Sequence, residues 1–242
     1  VAASRRGDCT QMRNGKLMVA PTVLWLSFFF VIPLLIVVAV SFASRTPYGQ
    51  VIFDWTLGNY ARFTETLYLS IFADTLIVAV ITTVLTILLG YPLAYFIAQL
   101  PQKWQQPGLI LVMIPFWINF LIRSYAWVII LRTQGVLNTI LLKFGFIEQP
   151  LQMLYNEVAV MLGMVYALLP FMVLPIYVSI EQLDHRLLEA ASDLGASPFT
   201  AFRKITLPLT MPGIAAGTIL VFISSLGMFV VPDVMGGAKS AL

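Results

Sequence analysis

Residues 158–180 read VAVMLGMVYALLPFMVLPIYVSI, and residues 181–212 continue EQLDHRLLEAASDLGASPFTAFRKITLPLTMP. The first stretch runs 23 positions without a charge. A helix needs roughly 20 such residues to cross the hydrocarbon of a bilayer. The second stretch holds Glu181, Asp184, Glu189 and Asp193, four of the chain's 11 acids. Leu187, Leu188, Ala191 and Leu194 recur there at helical spacing, so Asp184–Leu194 reads as an amphipathic helix. Gly195 stands where a C-cap or a sharp bend belongs. Ser197-Pro198 reads as an N-cap followed by proline at the first helical position, and a second short helix runs on through Ile205 to Pro208. The object is helix, glycine bend, helix, lying on one membrane face between two spans. Ala190 and Ala191 are small enough for another protein's surface to approach the backbone. A passive link between spans has the same physics.

Outward from this segment the same contrast repeats. The chain has 242 residues, 60% hydrophobic and 10% charged, with a mean hydropathy of +0.91. A soluble domain carries about 25% charged residues, so a water-soluble globule is excluded. Disordered, collagen-like and disulfide-stapled classes are excluded by the high apolar content and the single cysteine, Cys9. His185 is alone and leaves no histidine-cluster metal site. Spans are expected at about 18–42, 75–98, 108–131, 158–180 and 213–231, the third apolar except for Arg123. Val136–Phe146 is too short to span and reads as an interfacial helix or loop. Alternation by two is absent, which leaves an all-α helical bundle as the way to satisfy backbone groups in lipid. Residues 1–17 form an amino-terminal segment, and 18–242 form a single transmembrane domain whose only sizeable inner loop is 181–212. Leu100–Pro107 reads as a tight turn with a proline at each end, and Ser44–Leu69 as a long outer loop.

Basic residues orient the bundle. Eight Lys and Arg fall on the side of the amino terminus and the 181–212 loop, against five on the other side. That places the amino terminus and the loop in the cytoplasm. A secretory signal peptide in place of the first span is the alternative, although 25 uncharged residues exceed the usual core of about 7–15.

The spacing Glu189-Ala190-Ala191, three residues, Gly195, nine residues, Ile205-Thr206-Leu207-Pro208 resembles the EAA loop of ABC-importer permeases. Phe116-Trp117, Leu121-Ile122-Arg123, Tyr125-Ala126-Trp127, Gly135-Val136-Leu137-Asn138, the run Leu169–Tyr177 and Met235-Gly236-Gly237-Ala238 are similar to the spermidine/putrescine branch of that family. The resemblance covers most of the chain from about Asn59. It implies the type I importer fold, usually of six spans. Five are visible, with 53 residues after Glu189, so a sixth span is expected to be missing from this chain.

The resemblance also implies a mechanism. In the family the EAA loop docks on a cytoplasmic ATPase, whose closure swings the spans. Glu189, Ala190, Ala191 and Gly195 are then expected to form the dock, with Ile205, Leu207 and Pro208 anchoring the second helix into the next span. No phosphate-cradling G-x-x-x-x-G-K-[ST] occurs, so no cofactor is expected on this chain and ATP with Mg is expected on the partner. The implied partners are two ATPase subunits, a second homologous permease, an external substrate-binding protein and the lipid bilayer, with no nucleic acid. Catalysis is not expected here. Polyamine is the implied solute. Iron, sulfate, thiamine, opine or amino-acid-like solutes are alternatives on the same machinery.

Charged groups at membrane depth default to function. A polycation path favours acids and aromatic faces. Asp74, Trp117, Arg123, Tyr125, Trp127 and Asp233 are therefore the substrate-path candidates. Asp74 and Arg123 either form an ion pair or stand apart, one interfacial and the other snorkelling. Arg123 and Arg132 suit an anion better than a polycation, which opposes the polyamine reading. Two other classes compete. A membrane enzyme needs convergent catalytic groups at depth, and an ion-coupled transporter needs buried acids and inverted repeats. Neither is visible.

Overall fold

The computed structural model describes residues 5–45 and 51–236, and it falls into two compact units, 1–69 and 70–242. The first unit holds α1 (Arg5–Ser41), a two-residue antiparallel pair of β1 (Ser44–Arg45) with β2 (Val51–Ile52), and α2 (Gly58–Arg62). Within α1, Val19–Ser41 is long and apolar enough to cross a membrane, and residues 21–38 are exposed. The last carbonyls of a helix lack internal partners. Here Asn59 supplies donors, its Nδ2 reaching Ser41 O at 3.0 Å and Ala43 O at 2.7 Å.

The second unit continues from α3 (Thr66–Gln99), which starts in the first. It comprises α4 (Gln102–Trp117), α5 (Phe120–Leu131), α6 (Val136–Lys143), α7 (Glu157–Glu181), α8 (His185–Asp193), α9 (Pro198–Ala201), α10 (Leu207–Leu226) and α11 (Val230–Gly236). A π-helical turn, Phe202–Thr206, joins α9 to α10 without a break. The helix α7 is the hub. It is buried along its length, whereas α3 and α10 bury only one side. One core gathers Tyr91, Ala94, Leu168, Met172, Ile176 and Val221, and a second gathers Leu131, Leu154, Val160, Met164, Val231 and Met235.

Lipid tails are as apolar as leucine, so burial from lipid gives little drive and close packing must hold the helices together. Gly213 and Gly217, four residues apart on α10, provide it. A Cβ at Gly213 would stand 2.5 Å from Pro175 O and also strike Ser179 on α7. A Cβ at Gly217 would stand 2.8 Å from Met172 Sδ.

Three expected boundaries move. The span at 108–131 is two helices, α4 and α5, because Asn119 accepts from Leu121 N at 2.9 Å and starts a new helix there. A hydropathy window averages over such a single cap. The stretch 213–231 also divides, since α10 ends at Leu226 and Gly227–Phe229 bends the chain into α11. Pro107 does not end a turn, because α4 already begins at Gln102 with Pro101 as its N-cap. The short apolar run 136–146 contains α6, and its buried Asn138 staples the following loop, donating to Leu151 O at 2.8 Å and accepting from Leu151 N at 3.0 Å.

Candidate functional site

The helix α8 is built by local signals at both ends. Asp184 caps its start by accepting from Arg186 N at 3.0 Å. Its end is a Schellman turn: Gly195 N donates to Ser192 O and Ala196 N to Ala191 O, both at 2.9 Å, with Gly195 at φ +81°. Only glycine, and less readily asparagine or aspartate, takes that left-handed conformation at low cost. Ser197 then caps α9, accepting from Thr200 N at 3.3 Å. The bend read from Gly195 and Ser197-Pro198 is therefore the bend observed.

The loop presents two faces. Ala191 turns inward and is buried, while Glu189 and Ala190 are exposed. Leu187, Leu194 and Phe199 stand out on the surface at 46%, 88% and 71% exposure. Downstream, Ile205 and Leu207 are half-buried and Pro208 is exposed, so Pro208 is not packed as an anchor. The anchoring is done by residues the sequence did not single out. Phe202 meets the rings of Tyr91 and Tyr95 edge-on, each at 5.8 Å between centroids. The hydroxyls of Tyr91 and Thr210 lie 3.1 Å apart in the interior. The second loop helix is continuous with α10, so a displacement of α9 reaches the bundle without crossing a flexible joint.

Of the six substrate-path candidates, Arg123 and Trp127 share a neighbour, Tyr166. Asp74 and Asp233 are exposed, as are Trp117 and Tyr125. No ion pair joins Asp74 to Arg123 among the described residues. Arg123 is 9% exposed and turns inward. Its Nη1 donates to Pro115 O at 2.9 Å, and its guanidinium lies 5.3 Å from the Phe120 ring centre and 6.0 Å from that of Tyr166. Trp127 reaches the same Tyr166, ring to ring at 5.2 Å. Arg123 thus supplies the donor that α4 loses at its carboxyl end, where the chain breaks before α5. Arg123→Ala is expected to leave that carbonyl unpaired and to destabilise the protein by about 1–3 kcal/mol, with Arg123→Lys intermediate. Thermal unfolding in detergent measures this. An alanine variant of unchanged stability that has lost transport would return Arg123 to the solute path.

Gly237 and Ala238, part of the carboxyl-terminal motif, lie outside the described residues, as do residues 1–4.

Comparison with known proteins covers nearly all of this architecture. Residues 88–241 match the family described as binding-protein-dependent transport system inner membrane component. The chain is 45% identical to the spermidine/putrescine transport system permease protein PotB of Haemophilus influenzae, over 94% of this chain and 79% of that protein. It is 46% identical to PotB of Escherichia coli K12, over 93% of this chain and 82% of that protein. The fold matches the crystal structure of a bacterial ABC transporter involved in the import of the acidic polysaccharide alginate, with a TM-score of 0.74 at 19% identity, covering 98% of this chain and 82% of that one. With the family model running from within α3 through α11 and taking in the capped loop between α7 and α10, this chain belongs to the inner-membrane permease components of binding-protein-dependent ABC importers.

Proposed function

We propose that this chain is one of a pair of permease subunits in an ATP-driven polyamine importer. The observation that carries the reading is identity of 45–46% to PotB permeases along more than nine-tenths of the chain. Arg123 supports it as well. Its charge is spent on a backbone carbonyl and two aromatic faces, so it does not present a cation to an anionic solute.

In this reading the amino terminus and α8 face the cytoplasm. Glu189, Ala190 and Gly195 dock on one of two ATPase subunits, which hold ATP and Mg, while Ala191, expected in the dock, is buried and faces away from it. Leu187, Leu194 and Phe199 fill an apolar groove there, and Glu189 meets a basic group or a helix N-terminus. Ile205 and Leu207, with the Phe202–Tyr91–Tyr95 cluster, pass the motion into α10 and α3. A second permease completes the path, an external binding protein delivers the solute, and rigid-body rocking exposes the path to each side in turn. Asp74 and Asp233 are the acids available to guide a polycation, joined by Trp117, Tyr125 and Trp127.

The test is reconstitution with a second permease, an ATPase and a binding protein from the same organism. Uptake of labelled spermidine or putrescine is expected to require ATP and Mg on the α8 side and to survive a protonophore. Uptake without nucleotide, or uptake of sulfate, iron or thiamine in place of polyamine, overturns it.

A further inference from the structure

A cavity of about 750 Å³ opens between α8 and the ends of the long helices. Two helices build its walls with the same device. The helix α3 presents Tyr95 and, one turn on, Gln99, and α7 presents Tyr177 and, one turn on, Glu181. Residues four apart share a helix face, so each wall offers a phenol ring followed by an oxygen-bearing side chain. Gln105 ties the walls together. Its Nε2 donates to Ala98 O at 3.0 Å and Leu100 O at 2.9 Å, and its Oε1 accepts from the Tyr177 hydroxyl at 3.4 Å. Leu188 of α8 and Thr206 of the π-helical turn close the remaining side.

The lining selects a charge and a shape. Among the described residues that line it, Glu181 is the only ionisable acid or base apart from the two phenols. Both α3 and α7 end here, and a helix carboxyl end carries roughly half a negative charge. The amino end of α4 also reaches the cavity through Gln102. Its opposing half-charge is smaller than the full charge of Glu181 and the two helix ends together. The basic residues nearby in sequence, Lys103, Arg186, Arg203 and Lys204, are exposed and lie off the lining. A single carboxylate is too few for a divalent metal, which takes several oxygen ligands. It does suit an ammonium group, with tyrosine faces beside it for cation–π contact and amide oxygens for further N–H donors. The apolar flanks accept a methylene chain.

We propose that this cavity binds a small linear di- or polyamine from the loop side, and that occupancy braces α8 against the bundle and slows transport. Accumulated product would thereby limit its own import. The proposal rests on the polyamine reading and on α8 facing the cytoplasm.

The experiment uses the whole reconstituted importer in proteoliposomes with α8 facing the lumen. Initial uptake of labelled spermidine is measured against spermidine loaded in the lumen at constant ionic strength, with magnesium as the control cation. Wild type is expected to be inhibited by luminal spermidine and not by equal charge as magnesium. Glu181→Gln is expected to raise the half-inhibiting concentration at least tenfold while keeping uptake into amine-free vesicles within twofold of wild type. Spermidine titration of the intact complex in detergent should show a matching affinity loss. Absence of luminal inhibition, inhibition unchanged by Glu181→Gln, or equal inhibition by magnesium overturns the site. Failure of the polyamine reading is distinct: amine-free vesicles would then take up no spermidine at all.

Discussion

Gly195→Asp is expected to lower uptake at least tenfold while the protein still inserts and assembles. The substitution keeps the fold because a Cβ at Gly195 meets nothing within 4 Å. The loss arises from conformation and charge. A side chain at φ +81° carries a left-handed penalty of about 1–2 kcal/mol, less for aspartate than for most residues. A carboxylate beside the carbonyl end of α8 adds about 0.3–1 kcal/mol of unfavourable dipole interaction. The helix α8 has only nine residues and is marginal on its own. A shift of about 1.4 kcal/mol is a tenfold change in the population of the docked geometry. Gly195→Asn separates the causes, since it has the same shape, is the usual alternative to glycine at this cap and carries no charge. It is expected to retain most of the uptake. ATP hydrolysis measured alongside uptake completes the test: in the aspartate variant hydrolysis should lose its dependence on the loaded binding protein. Normal uptake by Gly195→Asp would remove α8 as the element that transmits the motor's motion.

The second large effect is on folding. Gly213→Ala is expected to destabilise the bundle by about 3 kcal/mol, the upper end of the usual range for overpacking. The obstacle is Pro175 O, 2.5 Å from where the new Cβ would sit, and a backbone carbonyl inside α7 cannot rotate away. Gly217→Ala is the control. Its nearest obstacle is Met172 Sδ at 2.8 Å, the end of a flexible side chain, with backbone atoms no closer than 3.3 Å. It should cost well under half as much. Thermal unfolding of the purified protein in detergent ranks the two. If Gly217→Ala proves the worse, the α7–α10 crossing is set elsewhere than at Gly213.

These predictions draw on two kinds of information. The loop could be read from residue order because its structure is local. Asp184, Gly195 and Ser197 each act on backbone groups within five positions, and α8 lies at a water boundary where polar and apolar faces differ. The membrane-length stretches could be counted for a related reason, since a run of uncharged residues is itself the signal. The break at Asn119 was also local, but one Asx cap is invisible to a window that averages hydropathy.

Helix faces within the bundle were settled only by the fold. The helices α3, α7 and α10 are apolar all round, because lipid and protein core ask for the same residues. Amphipathic contrast, which reveals the buried side of a helix in water, is therefore absent. Nothing in residue order alone says that α7 is the hub, that Gly213 meets Pro175, or that Tyr91 and Tyr95 receive Phe202. Arg123 shows the same division. Its place at membrane depth was plain from the sequence, but whether it faced the solute or the protein depended on where the chain broke between α4 and α5. Patterning against water wrote the spans and the loop into the sequence, and contact geometry between equally apolar surfaces decided everything inside the bundle.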